Sequence, residues 1–187
     1  MKTKYILHGG SAQHTNFEND KFFSEILKDT PEVVTILLVH FAGSSERAEL
    51  NREIDTAQFE RNKGIKKLDF EIAIEDKFIE QIKKADVIYF GGGTTIQLLE
   101  SLQKFPDLRD SLTGKIVAGE SAGANVFTTY CFSKSGGVIL KCLGILPIKI
   151  IPHYEEKYSE YKNQLESVAN DLVLLTLSNY QFKVIEV

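Results

Sequence analysis

Short apolar runs alternate with amphipathic stretches along almost the whole chain. Residues 33–41 (VVTILLVHF) are nearly all apolar, which is typical of a strand covered on both faces. Residues 17–28 instead repeat their apolar positions at helical spacing. The predicted strands are residues 5–7, 33–41, 67–74, 87–90, 115–118, 137–140, 149–151, 172–177 and 182–187. The predicted helices are residues 17–28, 45–62, 77–85, 95–104 and 158–169.

Strands and helices that alternate in this way predict βαβ units, and hence a mostly parallel sheet with helices on both faces. The chain has 187 residues and a mass of 21.1 kDa, a size at which about 70% of the unfolded surface becomes buried on folding. We therefore expect one doubly wound α/β domain over residues 1–187. In open sheets of this kind, ligands bind at the carboxyl ends of the strands.

Composition and charge exclude several classes of function. The net charge of −4 gives no electrostatic support for nucleic-acid binding. No apolar run reaches the roughly 18 residues that cross a bilayer, so we expect no membrane association. Cys131 and Cys142 form no CxxC pair and lie near no histidine at ligand spacing, which predicts no metal site and two reduced thiols in a cytoplasmic protein.

Residues 119–123 (GESAG) match the G-x-S-x-G pattern of a nucleophile elbow and follow an apolar strand. In such an elbow a strained turn presents the serine hydroxyl, here that of Ser121, at the edge of the sheet. The backbone N–H of Ala122 is then available to a developing oxyanion. The same segment also fits a glycine-rich turn between strand and helix in which the serine is incidental.

Residues 91–94 (GGGT) form a second glycine-rich turn after a predicted strand. Its glycines let the backbone approach a ligand, either as the second donor of an oxyanion hole or as a phosphate site. The P-loop and dinucleotide-binding patterns are both absent, and no cofactor is predicted. Both glycine-rich turns lie at the carboxyl ends of strands, which carries more weight than either pattern alone.

A serine nucleophile needs a neighbouring base, which is normally histidine. His153 follows a predicted strand and is the only histidine after Ser121. His8 and His40 also lie near the carboxyl ends of predicted strands and remain alternatives. No aspartate or glutamate lies between Ser121 and His153, which rules out the Ser–acid–His order of α/β-hydrolases for this pair.

Four segments resemble peptidase E, the aspartyl dipeptidases of serine peptidase family S51, in the same order and at similar spacing. Residues 91–99 (GGGTTIQLL) are similar to the family's GGGNT…LL segment, and residues 119–125 (GESAGAN) to its G-x-SAGAN segment. Residues 147–154 (PIKIIPHY) resemble its LFPLQ…NPH segment, and residues 7–11 (LHGGS) its opening strand and turn. The resemblance implies a flavodoxin-like, three-layer α/β fold related to class I glutamine amidotransferases, whose own nucleophile is a cysteine. It also implies cleavage of dipeptides after an N-terminal aspartate.

The resemblance implies roles for individual residues of this chain. Ser121 would be the nucleophile and His153 the general base. The backbone N–H groups of Gly92 or Gly93, together with that of Ala122, would hold the oxyanion.

Three further positions bear on the expected site. Asn179 stands where the family has a glutamate or aspartate, in a turn before a late strand. An amide oxygen accepts a hydrogen bond from the histidine but supplies no charge, and a similar change in one serine protease costs about 10⁴ in rate. Thr94, which replaces the family's usual asparagine beside the oxyanion loop, and Lys134, a candidate partner for a substrate carboxylate, are the expected substrate contacts.

Three functions are consistent with these residues. The leading expectation is a serine peptidase that acts on small peptides, as a monomer or a homodimer. The first alternative is a catalytically weak or silent homologue that binds a peptide or metabolite, which Asn179 favours. The second is an esterase or acyltransferase that uses the same serine.

Overall fold

A computed structural model describes residues 2–187 of the chain. The strands are β1 (Lys4–His8), β2 (Val33–Val39), β3 (Lys67–Ile72), β4 (Val87–Phe90), β5 (Ile116–Glu120), β6 (Tyr130–Ser133), β7 (Val138–Lys141), β8 (Ile148–Pro152), β9 (Val173–Leu177) and β10 (Phe182–Glu186). The helices are α1 (Phe17–Leu27), α2 (Ser45–Asn62), α3 (Phe78–Lys84), α4 (Thr95–Leu102), α5 (Leu108–Ser111), α6 (Ala122–Asn125) and α7 (Ser159–Ser167). Short 3-10 turns, Glu75–Lys77 and Glu156–Tyr158, precede α3 and α7. Within residues 2–187, no helix combines the length and the apolar character needed to cross a membrane.

The larger of two sheets contains six strands of the described chain, in the order β10-β1-β5-β4-β2-β3. Strands β1, β5, β4, β2 and β3 are parallel to their neighbours, whereas β10 pairs antiparallel with β1 at the edge. The carboxyl ends of β1, β5 and β4 therefore lie side by side, where a parallel sheet of this kind positions a ligand site.

The second sheet has the strand order β7-β6-β8-β9. Strands β6, β8 and β9 are parallel, and β7 pairs antiparallel with β6. The chain leaves this sheet after β9 and enters the larger sheet at β10, so residues 178–181 form a short direct connection between the two sheets.

The larger sheet has a hydrophobic core on each face. In β2, Ile36 and Leu38 pack on one side with residues of α1 and α2, whereas Leu37 and Val39 pack on the other side with residues of α3, α4 and α6. The second of these cores also contains buried residues of β6 and β8, and so joins the two sheets. The alternation of strands and helices predicts these helices on both faces of the sheet. The result is the three-layer, flavodoxin-like α/β class that the resemblance to peptidase E implies.

The pattern of the sequence predicts most long elements to within a few residues, but it misses the second sheet. It predicts one mostly parallel sheet, whereas β6 to β9 form a separate one. Strand β6 and helix α5 are absent from the prediction, and α6 enters it only as the helix expected after the elbow. Each has only four residues, which is too short for a period of 2 or 3.6 to emerge.

Candidate active site

Three loops meet at the carboxyl edge of the larger sheet, because β1, β5 and β4 are adjacent. The loop after β1 contains Gly9 and Gly10, the loop after β4 contains residues 91–93, and the turn after β5 contains Ser121. The loop after β8 brings His153 from the second sheet to the same place, within hydrogen-bonding distance of Ser121.

Ser121 lies in a strained turn between β5 and α6. Its φ of 50° and ψ of −103° lie in a region that residues with a side chain rarely adopt. Its N–H donates to the carbonyl oxygen of His8 at 3.0 Å. A Cβ on Gly119 would overlap the carbonyl group of Gly123, and a Cβ on Gly123 would overlap that of Phe90. Both glycines are therefore required by the close approach of strand, turn and helix, as in a nucleophile elbow.

Ser121, His153 and Asn179 form a hydrogen-bonded chain. The Nε2 atom of His153 lies 2.9 Å from Ser121 Oγ, and its Nδ1 atom lies 2.6 Å from Asn179 Oδ1. An amide oxygen only accepts, so Nδ1 carries the hydrogen and donates it to Asn179. The Nε2 atom is then the acceptor for the Ser121 hydroxyl, which is the orientation that a general base needs.

The loop after β1 sets the position of the His153 ring. The His153 N–H donates to the carbonyl oxygen of Gly9 at 2.6 Å, and His153 adopts a φ of 51°. Gly10 has a φ of +121°, and a Cβ at this position would overlap the imidazole of His153. The absence of a side chain at Gly10 therefore makes room for the ring beside Ser121.

The same loop also fixes the turn that carries Asn179. The N–H of Tyr180 donates to the carbonyl oxygen of Gly10 at 3.1 Å, and the N–H of Gly9 donates to that of Gln181 at 2.8 Å. The turn between β9 and β10 is thus bonded to the backbone that also holds the histidine. This explains how Asn179 reaches the imidazole although it lies 26 positions further along the chain.

The surroundings of His153 favour the neutral form of its imidazole ring. Its burial lowers the pKa of its ring below the ordinary value of 6.5, and the hydrogen bond to Asn179 acts in the opposite direction. The charge of Lys134 lowers the pKa of His153 further, whereas the charge of Glu155 raises it. The ring is therefore unprotonated at pH 7, and Nε2 is free to accept a proton.

The expected oxyanion donors come from two loops: Gly92 and Gly93 lie after β4, and Ala122 lies after β5. Gly92 and Gly93 line the same cavity as Ser121, and Gly93 has a φ of +148° that permits its tight turn. The Gly92 amide lies close enough to Glu120 to lower the pKa of that carboxyl group. Ala122 directly follows Ser121 and begins α6.

A cavity of about 510 Å³ opens at this edge of the sheet. Its wall combines polar, charged and apolar residues: Ser11, Gln13, Arg47, Asn51, Ile54, Asp55, Gly92, Gly93, Thr95, Glu120, Ser121, Asn125, Lys134, Ser135, Pro152 and His153. Lys134 lies in the turn between β6 and β7 and is part of the wall. Thr94 is exposed at the start of α4 and lies outside the wall, which its neighbour Thr95 joins instead.

Sequence patterns do not single out two of the charged residues in the wall. Glu120 occupies the variable second position of the elbow pattern, and its Oε1 accepts the Ala12 N–H at 3.0 Å. Burial, together with the charge of Asp55, raises the pKa of Glu120 to about 7, and hydrogen bonds from nearby backbone amides oppose the shift. Arg47 lies in the first turn of α2, after the carboxyl end of β2. The rule that strand ends carry the ligand site is the signal that leads to both residues.

Asp55 is a further buried wall residue that sequence patterns do not identify. Its Oδ2 lies 2.8 Å from His40 Nε2, and its Oδ1 accepts the hydroxyl hydrogen of Tyr89 at 3.4 Å. Burial raises the pKa of the Asp55 carboxyl group, and the contact with His40 opposes this shift. His40, one of the alternative bases, is thus engaged with Asp55.

His8, the other alternative base, is also engaged elsewhere. Its Nδ1 accepts the N–H of Gly10 at 3.1 Å, so its Nε2 carries the hydrogen and donates to Asn19 Oδ1 at 3.0 Å. Burial lowers the pKa of His8 to about 4, which keeps this ring neutral. His8 therefore supports the loop that positions His153.

A doubly wound α/β fold with a serine on a strained elbow beside a histidine is typical of hydrolytic enzymes. Comparison with known protein families makes the assignment more specific. The sequence profile of peptidase family S51 matches residues 5–182, and the chain belongs to this family.

Individual relatives agree with this assignment. Peptidase E of Pasteurella multocida (strain Pm70) is 28% identical over 166 residues, which cover 82% of this chain and 69% of that protein. The crystal structure of a peptidase from an acI-B1 actinobacterium matches with a TM-score of 0.72 at 23% identity, covering 99% of this chain and 84% of that one. A candidate peptidase E protein from Listeria monocytogenes EGD-e matches with a TM-score of 0.69 at 18% identity, covering 100% and 98% of the two chains. These two structures share the fold of this protein.

Proposed function

We propose that this protein is a serine peptidase that hydrolyses small peptides, with dipeptides that begin with aspartate as its preferred substrates. The observation that carries the proposal is the 2.9 Å contact between His153 Nε2 and Ser121 Oγ, on an elbow that opens into a cavity of about 510 Å³. A cavity of this size suits a ligand with the dimensions of a dipeptide rather than an extended protein chain.

In the first half of the reaction, Ser121 Oγ attacks the scissile carbonyl carbon while its proton passes to His153 Nε2. The carbonyl oxygen becomes an oxyanion, for which the backbone N–H groups of Ala122 and of Gly92 or Gly93 are the donors. The loss of one such donor typically lowers turnover by about 10²–10³. The C–N bond then breaks, and the proton on Nε2 passes to the leaving amine.

In the second half, a water molecule attacks the acyl-serine ester while His153 Nε2 takes its proton. The Ser121 oxygen leaves and regains that proton, which completes the cycle. Asn179 Oδ1 holds the Nδ1–H throughout, so Nε2 keeps facing the reacting atoms.

The preference for aspartate rests on the cations of the cavity. Within the described chain neither Arg47 nor Lys134 forms an ion pair with a carboxylate, although both line the wall. An aspartyl dipeptide carries two carboxylates, one on its first side chain and one at its carboxyl terminus. The two unpaired cations match these two groups.

Hydrolysis of a panel of X-Leu dipeptides and of an aspartyl anilide tests the proposal, with Ser121→Ala beside the wild type. We expect the wild type to cleave Asp-Leu in preference to the other dipeptides and Ser121→Ala to cleave none. Ser135→Ala is the matched control, because Ser135 lines the same cavity but has no contact with His153. Activity that survives in Ser121→Ala would reject Ser121 as the nucleophile.

A binding protein without turnover is the second candidate, and the neutral side chain of Asn179 favours it. It predicts that the folded wild-type protein binds Asp-Leu in a calorimeter but releases no leucine. An aspartyl ester has a better leaving group than an amide. Hydrolysis of the ester without hydrolysis of Asp-Leu would indicate a slow enzyme, and hydrolysis of neither would indicate a binding protein.

A further inference from the structure

The cavity beside Ser121 contains one carboxylate whose charge nothing in the described chain balances. Glu120 lines the wall, and its hydrogen-bonding partners are backbone amides, with the Ala12 N–H 3.0 Å from Oε1. No lysine, arginine or histidine of residues 2–187 lies within ion-pair distance of it. Glu120 is half-buried, and a partly desolvated carboxylate without a cation keeps part of its desolvation cost, which a cationic ligand offsets.

The neighbouring carboxylate, Asp55, is already engaged. One of its oxygens contacts His40 and the other accepts from Tyr89. Glu120 is therefore the acid of the wall that remains available to a ligand.

An independent observation in the same cavity also indicates a ligand with N–H donors. Asn125 is only 1% exposed, and its Nδ2 donates to Thr95 Oγ1 at 3.0 Å. Its Oδ1 is buried and has no partner within the described chain. Asn125 and Glu120 both line the wall, so the cavity presents one acceptor without a donor beside one carboxylate without a cation.

We propose that Glu120 binds the free α-ammonium group of the substrate's first residue. This inference rests on the proposed function and identifies a specificity residue for it. The α-ammonium nitrogen is two bonds from the scissile carbonyl carbon, so its partner must lie directly beside the nucleophile. Glu120 immediately precedes Ser121 in the chain and lines the same cavity.

The arrangement of charges explains why the substrate is a short peptide with a free amino terminus. The ammonium group binds Glu120 within the wall, while the carboxylates of the substrate bind the exposed cations Arg47 and Lys134. A peptide bond inside a longer chain presents an uncharged amide where the ammonium would be, and leaves Glu120 unpaired. The site therefore selects the first peptide bond.

Two ligands that differ only in the amino group test the inference. Succinyl-leucine is Asp-Leu without its α-amino group. Their dissociation constants are measured by calorimetry on Ser121→Ala and on Ser121→Ala/Glu120→Gln, so that no cleavage is needed. Glutamine keeps an oxygen that accepts from Ala12 and removes only the charge. Ser121→Ala/Glu80→Gln repeats the acid-to-amide change on an exposed residue of α3.

We expect Ser121→Ala to bind Asp-Leu about 10- to 100-fold more tightly than succinyl-leucine, the value of a hydrogen bond to a charged group. Glu120→Gln should reduce this ratio to about 1–3, whereas Glu80→Gln should leave it unchanged. A ratio that survives in Glu120→Gln, or that is absent in Ser121→Ala, overturns the inference. Equal weakening of both ligands by Glu120→Gln also overturns it, because that is the signature of a purely structural role.

The proposed function fails in a different way. If the wild type releases no leucine from Asp-Leu while the calorimetric ratio behaves as expected, the peptidase is rejected and the ammonium site stands. If leucine is released while the ratio is absent, the ammonium site is rejected and the peptidase stands.

Discussion

Replacing Asn179 by aspartate adds one negative charge next to the imidazole of His153, at a contact of 2.6 Å. Two opposite charges about 4 Å apart attract by roughly 1 kcal/mol in water and roughly 4 kcal/mol at the effective dielectric constant of a protein surface. Asn179 is exposed, which places the gain near the lower of these values. We expect the new carboxylate to stabilise the imidazolium by about 1.4 kcal/mol, which corresponds to a tenfold change in rate.

Asn179→Asp should therefore raise kcat on Asp-Leu about tenfold, because the new charge stabilises the imidazolium that forms as Ser121 attacks. The same charge should also raise the pKa of His153, because it stabilises the protonated ring. Initial rates from pH 5 to 8.5 measure both effects, since activity rises with pH as the base loses its proton. In the wild type, half-maximal activity should fall below pH 6.5, because burial lowers the pKa of His153.

Gln181→Glu is the control for this experiment. It makes the same amide-to-acid change in the same turn, but Gln181 Oε1 accepts the Ser178 N–H at 3.0 Å and does not contact His153. An equal gain in kcat from Gln181→Glu would show that any negative charge in this turn produces the effect, without direct contact with His153. An Asn179→Asp variant with unchanged rate and unchanged pH profile would refute the role of Asn179 in orienting His153.

Three further outcomes follow from the structure. Gly10→Ala should lower kcat by about 10² or more, because its Cβ overlaps the His153 ring and a displacement of about 1 Å costs that much; a displaced imidazole in a crystal structure of the variant checks the cause. The pKa of His8 falls from 6.5 to about 4 on folding, so the unfolded chain binds the extra proton between these values and stability falls as the pH falls through this window. Urea unfolding at pH 7 and pH 5 should show a loss of about 2 kcal/mol that is absent in His8→Asn. Lys149 is 1% exposed and donates to the Val168 carbonyl oxygen at 2.8 Å, beyond the end of α7, so Lys149→Met should lower the free energy of unfolding by about 1–3 kcal/mol without changing kcat.

The larger sheet is well predicted from the sequence because its signals are local. Residues 33–41 are apolar on both faces since β2 lies inside the sheet, with β4 and β3 beside it. Three strands of the second sheet are predicted, but not their separation into a second sheet, because strand pairing depends on contacts between distant parts of the chain. The pairing of β6 with β8, for example, consists of two residues on each strand.

The residues of the candidate site likewise divide into those that a local sequence pattern predicts and those that depend on the fold. The glycines around Ser121 are visible as a pattern because a strained turn demands them. The elbow pattern does not single out Glu120, which occupies its variable position, and only the place of Glu120 at the end of β5 indicates a role. Its importance comes from desolvation and from a cavity that several elements build together. Arg47 is likewise an ordinary exposed residue of a helix until the fold brings the first turn of α2 to the carboxyl edge of the sheet.

The two sheets contribute different parts of the candidate site. Ser121 follows a strand of the larger sheet, His153 follows a strand of the second sheet, and Asn179 lies on the connection between the two sheets. The His153 N–H donates to the Gly9 carbonyl oxygen, and we expect a local opening that breaks this bond to separate His153 from Ser121 before the larger sheet unfolds. Heat or urea should then abolish hydrolysis before the amides of β1, β5 and β4 lose their protection from hydrogen exchange. The loss of catalytic activity thus reports the detachment of the second sheet from the larger one.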